Sequence, residues 1–99
     1  MVLIQINFNF PVEMMGEALT KNAKQLADSI NLEEGFVSKI WFENTKTEEC
    51  GGIYVFKDWA SAQKYVEMHT KRVEAMGGKN ITCKFFDINE TLSKINKGL

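Results

Sequence analysis

The side chains best suited to chemistry are few. His69 is the one histidine, and imidazole is the group whose ordinary pKa lies nearest neutrality. It is a candidate general base or hydrogen-bond partner. Lys39 and Glu43 stand four apart in an alternating segment, so they share a strand face with Trp41 between them. Burial would shift their pKa values and make them candidates for proton transfer. Trp41, Tyr54 and Phe56 can wall an aromatic ligand, two of them with polar handles. Asn7 and Asn9 can orient a ligand oxygen, and Arg72, the only arginine, stands near His69 as a possible anion clamp. Each also has a plainer explanation: a core histidine bonded to a backbone carbonyl, packed aromatics, a polar strand face, a surface ion pair.

Other chemistries find little support. Cys50 and Cys83 are widely separated and form no CxxC pair, so free thiols are expected. No set of four Cys, His or carboxylate residues has zinc-site spacing. Gly51-Gly52 and Gly77-Gly78 lack the flanking pattern of a phosphate or dinucleotide loop. The expectation is no metal and no cofactor. Twelve basic and thirteen acidic residues give a net charge of −1, with no basic excess for a phosphate backbone, so nucleic acid is not expected. No apolar run approaches the about 20 residues a membrane span needs. Met1 to Phe10 has no charged leader region, so no export signal is read there and a cytoplasmic location is expected.

The elements that must position these residues are legible. At 99 residues, 44% hydrophobic with one proline, the chain is expected to form one domain spanning 1–99. Residues 2–10 alternate, with Val2, Ile4, Ile6, Phe8 and Phe10 against Leu3, Gln5, Asn7 and Asn9, which predicts a strand ended by Pro11. Met15, Leu19, Ala23, Leu26 and Ile30 form one helical stripe. Gly35–Glu43 and Gly51–Lys57 read as a hairpin that puts Trp41 and Tyr54 on one face, with Phe36 grouped beside Ile40 and Phe42 on the other. Asp58 is an N-cap for a second helix, whose stripe runs Trp59, Ala62, Val66, His69, Val73 and Met76. Asn80–Ile88 is a fourth strand, and the tail carries Leu92 and Ile95 at helical spacing.

The order β-α-β-β-α-β predicts an α+β, ferredoxin-like fold: a four-stranded antiparallel sheet with two helices on one face. The other face is then bare. One face is expected to hold Ile4, Ile6, Phe8, Ile40, Phe42, Ile53, Val55 and Phe85. The other mixes Gln5, Asn7, Asn9, Lys39 and Glu43 with Trp41, Tyr54, Phe56 and Phe86. Leaving eight large apolar side chains in water would forfeit about 10 kcal/mol or more, so a second copy is expected to cover the apolar face. The mixed face then lies under the helices, where it and His69 enclose a pocket; periodicity alone leaves the opposite assignment open.

The residues Ser29-Ile30-Asn31, Glu33, Gly35-Phe36, Lys39, Trp41 and Glu43 form a familiar series. It continues with Gly51-Gly52-Ile53-Tyr54, Phe56, Asp58, Ser61-Ala62, Tyr65, Glu67, His69-Thr70 and Arg72. Phe86-Asp87, Asn89-Glu90, Leu92-Ser93 and Ile95-Asn96 complete it. Together they resemble the YdhR family of small proteins named as monooxygenases. The resemblance implies a dimeric α/β barrel, in which two ferredoxin-like protomers join their sheets and each keeps a pocket between sheet and helices. It implies relatives that form quinones without a cofactor and others that degrade haem. The haem-degrading relatives use an Asn on strand one, a Trp ending strand three and a His on helix two; here Asn7 or Asn9, Phe56 and His69 fill or replace those positions. The expectation is a cofactor-independent monooxygenase acting on a small hydroxylated or quinol-like aromatic. His69 would be the base or a hydrogen-bond partner, and Asn7, Asn9, Lys39, Trp41, Glu43, Tyr54, Phe56 and Arg72 would bind substrate. A non-catalytic dimeric carrier, or an isomerase or lyase on the same scaffold, are the alternatives.

Overall fold

A computed structural model describes residues 1–99. The elements are β1 (Val2–Asn9), a short 3-10 turn (Val12–Met14), α1 (Glu17–Asn22), α2 (Lys24–Ile30), β2 (Phe36–Asn44), β3 (Glu49–Phe56), α3 (Trp59–Ala75), β4 (Lys79–Asp87) and α4 (Glu90–Ile95). The sheet runs β2-β3-β1-β4 with every pair antiparallel, the ferredoxin-like arrangement expected from the element order. No helix is long and apolar enough to cross a membrane.

Local chemistry sets the ends of α3. Asp58 caps its start, its carboxylate accepting from Ser61 N at 2.8 Å. Gly77, at φ +100°, ends it: Gly77 N donates to Glu74 O and Gly78 N to Val73 O, which satisfies two terminal carbonyls. Trp59 then docks the helix on β4, stacking 5.4 Å from Phe85 and donating from Nε1 to Asp87 at 2.6 Å. The single first helix read from the stripe is two segments, with Ala23 at φ −101° between them. Leu19, Ala23 and Leu26 still face the sheet side, so the stripe keeps its function across the break.

The core lies between the sheet and α3. Ile4, Ile6, Tyr54, Phe56, Ala62 and Tyr65 are buried there. Each large one contributes roughly 1.5–3 kcal/mol by leaving water.

The division of the sheet into faces differs from the sequence reading. Ile4 pairs with Tyr54, and Tyr54 with Lys39 across the hairpin, so these three share the helix-covered face. Ile6, Phe8 and Phe85 belong to that face too, not to the bare one. Conversely Gln5, Asn7, Asn9 and Phe86 lie on the bare face with Ile40, Phe42, Ile53 and Val55. Alternation fixes the phase of side chains within one strand. The phase between strands is set by register, and a one-residue offset reverses every side chain of a strand. Phe36 is a further correction. A bulge between Phe36 and Ser38 turns it to the helix side, where it packs edge-on against Phe56 at 5.9 Å.

Candidate functional site

The sheet and helices line a cavity of about 270 Å³. Its floor is Lys39 and Trp41 of β2 with Cys50, Gly51 and Tyr54 of β3. His69 and Val73 of α3 close one side, and Leu19, Ala23 and Leu26 of the first helical layer close the other. Phe8, Phe10 and Met14 fill the end near the 3-10 turn. The lining is predominantly apolar with a few polar groups, the composition of a small-molecule pocket.

His69 is 3% exposed and held at both nitrogens. Arg72 places Nε at 3.2 Å and a terminal nitrogen at 2.9 Å from Nδ1. A guanidinium has donors only, so Nδ1 is the acceptor and the proton of the neutral ring sits on Nε2. Nε2 in turn meets Tyr54 Oη at 3.0 Å and donates to it. Burial, reinforced by the charges of Lys39 and Arg72, lowers the imidazole to about pKa 3. The ring is therefore neutral at physiological pH, with its lone pair engaged. In this geometry it is a fixed hydrogen-bond donor, the second of the two roles its sequence position allowed. No carboxylate is among its hydrogen-bond partners.

Around this pair the aromatics are layered. Tyr65 stacks on His69 at 4.9 Å and 20°, and Tyr54 packs 5.2 Å from Tyr65. Tyr65 Oη is buried with no hydrogen-bond partner. Burial pushes the Tyr65 phenol up to about 12 and moves the Tyr54 phenol upward as well, so both stay protonated.

Lys39 is the one charged side chain on the cavity wall. Its Nζ lies 3.3 Å from the Trp41 ring centroid and 4.5 Å from that of Tyr54. Neither ion pair of the molecule, Met1–Glu90 or Lys64–Glu34, involves it. Aromatic faces stand where a carboxylate would usually be, and they attract a cation through the ring quadrupole. Burial first, then the positive charge of Arg72, brings the amine down to about pKa 7.

The structure thus brings Lys39, Trp41, Tyr54 and His69 together, with Arg72 behind His69 and off the cavity lining. Phe56 shares their face but lies deeper, packed 5.1 Å from Tyr65, and does not reach the cavity. Glu43 also stays outside it. Its carboxylate accepts from Gly16 N at 2.6 Å and ties the start of α1 to the edge of the sheet. Asn7 and Asn9 are the clear misplacements. They are on the bare face, Asn7 accepting from Gln5 Nε2 and Asn9 from Asn80 Nδ2. Tyr65 was the main omission. Its spacing from Ala62 and His69 put it on the buried stripe, but Val66 sits one place along with the same apparent claim.

No three His, Cys, Asp or Glu side chains gather where they could hold a metal ion. Both cysteines are free, Cys50 on the cavity wall and Cys83 half-buried against the core. Burial raises both thiols, which keeps them protonated and poorly nucleophilic.

A family model described as "Putative mono-oxygenase ydhR" matches residues 3–99. A search of curated proteins finds no match to the chain.

Proposed function

The chain belongs to the YdhR family, and from that premise we propose that it is a monooxygenase of small hydroxylated aromatics, working on the substrate's own electrons without a cofactor. The observation that carries this reading is the cavity: apolar and aromatic walls meeting a lysine and a neutral histidine at one end. A phenolic ring fits the walls and a hydroxyl fits the polar end. Once deprotonated, an electron-rich aryloxide can reduce O₂ directly. With a hydrogen on the carbon that is oxidised, the reaction closes as H–Ar–OH plus O₂ to the quinone O=Ar=O plus water: the C–H and O–H hydrogens leave in the water, one oxygen atom becomes the new carbonyl, and all four electrons come from the substrate. The chain then has three tasks: to take a proton, to hold the ring, and to keep bulk water out. Cavity size favours one to three fused rings.

Oxygen uptake tests this. With a panel of dihydroxynaphthalenes and anthrone, the purified protein is expected to consume one O₂ per molecule oxidised, unaffected by a chelator. Absence of protein-dependent uptake across the whole panel would overturn the reading.

The same reading includes a homodimer. The bare face carries Leu3, Ile40, Phe42, Ile53, Val55 and Phe86, with Ile40 67% and Phe86 48% exposed. Apolar surface of this kind favours a second sheet over water. Sedimentation is expected to show a dimer, and Ile40→Glu to shift it toward single chains; a wild-type monomer at working concentration would rule the pairing out.

A further inference from the structure

We propose that Lys39 is the proton acceptor of this cavity, its unprotonated amine taking the hydroxyl proton of a phenol or naphthol seated beside Trp41 and Tyr54. The step balances as aryl–OH plus amine to aryloxide plus ammonium. It rests on the reading of the cavity as an aromatic-hydroxyl site, and it assigns the base within that site.

The assignment follows from what each polar group is already doing. His69 has its Nδ1 lone pair facing Arg72 and its Nε2–H donating to Tyr54 Oη, so no basic atom points into the cavity. Tyr54 receives that hydrogen bond and keeps its own proton. Cys50 on β3 is a protonated thiol. Glu43 on β2 is engaged by Gly16 outside the cavity. Of the titratable side chains, Lys39 alone lines the cavity with no hydrogen-bond or salt-bridge partner of its own.

The surroundings suit both ends of the transfer. Before it, an amine among rings and aliphatic walls needs no counterion. After it, the ammonium lies against the faces of Trp41 and Tyr54, and the aryloxide supplies the negative charge the site lacks. The groups that bear on its titration are Arg72 and His69 from α3, and Cys50 and Tyr54 from β3. Burial first, then the charge of Arg72, with Cys50 opposing them, leaves a substantial free-amine fraction near neutrality.

Proton counting separates this from simple charge attraction. The probe is 2-naphthol under nitrogen at about pH 8, where a free phenol of pKa about 10 is still protonated. Absorbance reports whether the bound naphthol is ionised, and calorimetry in two buffers reports protons released. Wild type is expected to bind naphtholate and to release almost none, because the proton stays on Lys39. Lys39→Arg, which keeps the charge but has no proton vacancy, is expected to bind naphtholate and release about one proton per naphthol. Lys39→Met is expected to bind naphthol with the ionised fraction reduced at least tenfold. Neutral naphthol in the wild-type cavity would overturn the assignment while leaving the aromatic site intact. So would full proton release by wild type, or unchanged ionisation in Lys39→Met. No binding of naphthol by any of the three would overturn the site reading itself, and the assignment with it.

Discussion

Urea unfolding of the wild-type chain is expected to show stability rising with pH in two windows, from about 3 to 6.5 and again upward from about 7. The first window belongs to His69. Its ordinary value is 6.5 and its folded value about 3. Between them the unfolded chain holds the proton and the folded chain does not, so stability is complete above 6.5 and drains away as pH falls. The slope approaches about 1.4 kcal/mol per pH unit. The second window belongs to Lys39, lowered from 10.5 to about 7, with the same sign. Stability withheld at neutral pH is recovered as pH climbs toward 10.5. The two cysteines and two tyrosines are shifted upward and oppose it at the alkaline end, so the comparison with a variant isolates the lysine. Lys39→Met keeps the stem, removes the buried charge, and is expected to stabilise the protein at pH 7 by roughly 2–3 kcal/mol. His69→Gln loses the acid slope, though it lowers stability at neutral pH by leaving Arg72 and Tyr54 without their shared partner. A Lys39→Met variant that gains nothing at pH 7 would mean that in wild type the ring faces fully replace water around the ammonium.

Gly51→Ala is expected to abolish folding or to cost more than about 3 kcal/mol. Gly51 lies in β3, paired with Asn7 of β1 on one side and Phe42 of β2 on the other. A Cβ there would fall inside the van der Waals shell of the Ile6 carbonyl oxygen and 2.9 Å from Phe42 Cζ. The first obstacle is backbone in the middle of the sheet, so it cannot swing aside as a side-chain tip would. Relief requires β1 and β3 to separate, which breaks the ladder beneath the cavity, where Gly51 is part of the floor. Thermal melts compare it with Gly16→Ala, where a Cβ meets nothing within 4 Å and the cost is confined to backbone strain at φ +64°. Equal stability of Gly51→Ala and wild type would contradict the close strand contact.

Much of this was legible in the residues. Alternation in 2–9, the cap at Asp58 and the β-rich hairpin each act over a few residues, and each appears where the chain placed it. His69 on the inward stripe of α3 and Trp41 beside Tyr54 followed from the same short-range periodicities. The errors arose where information crosses between strands. The sequence groups Ile4 with Ile53 as readily as with Tyr54, because both choices satisfy a period of two.

By itself, then, the sequence determined the elements, their order and the cast of chemically able side chains, because backbone preference and amphipathic period are local properties. Tertiary structure alone decided the roles. It put Asn7 and Asn9 beyond the sheet, turned Glu43 into a tie for α1, and occupied the His69 lone pair with Arg72. It also set Lys39 between two ring faces in the cavity wall. A group's protonation and reach depend on what surrounds it in space, and strand register and helix docking, not chain position, choose those surroundings.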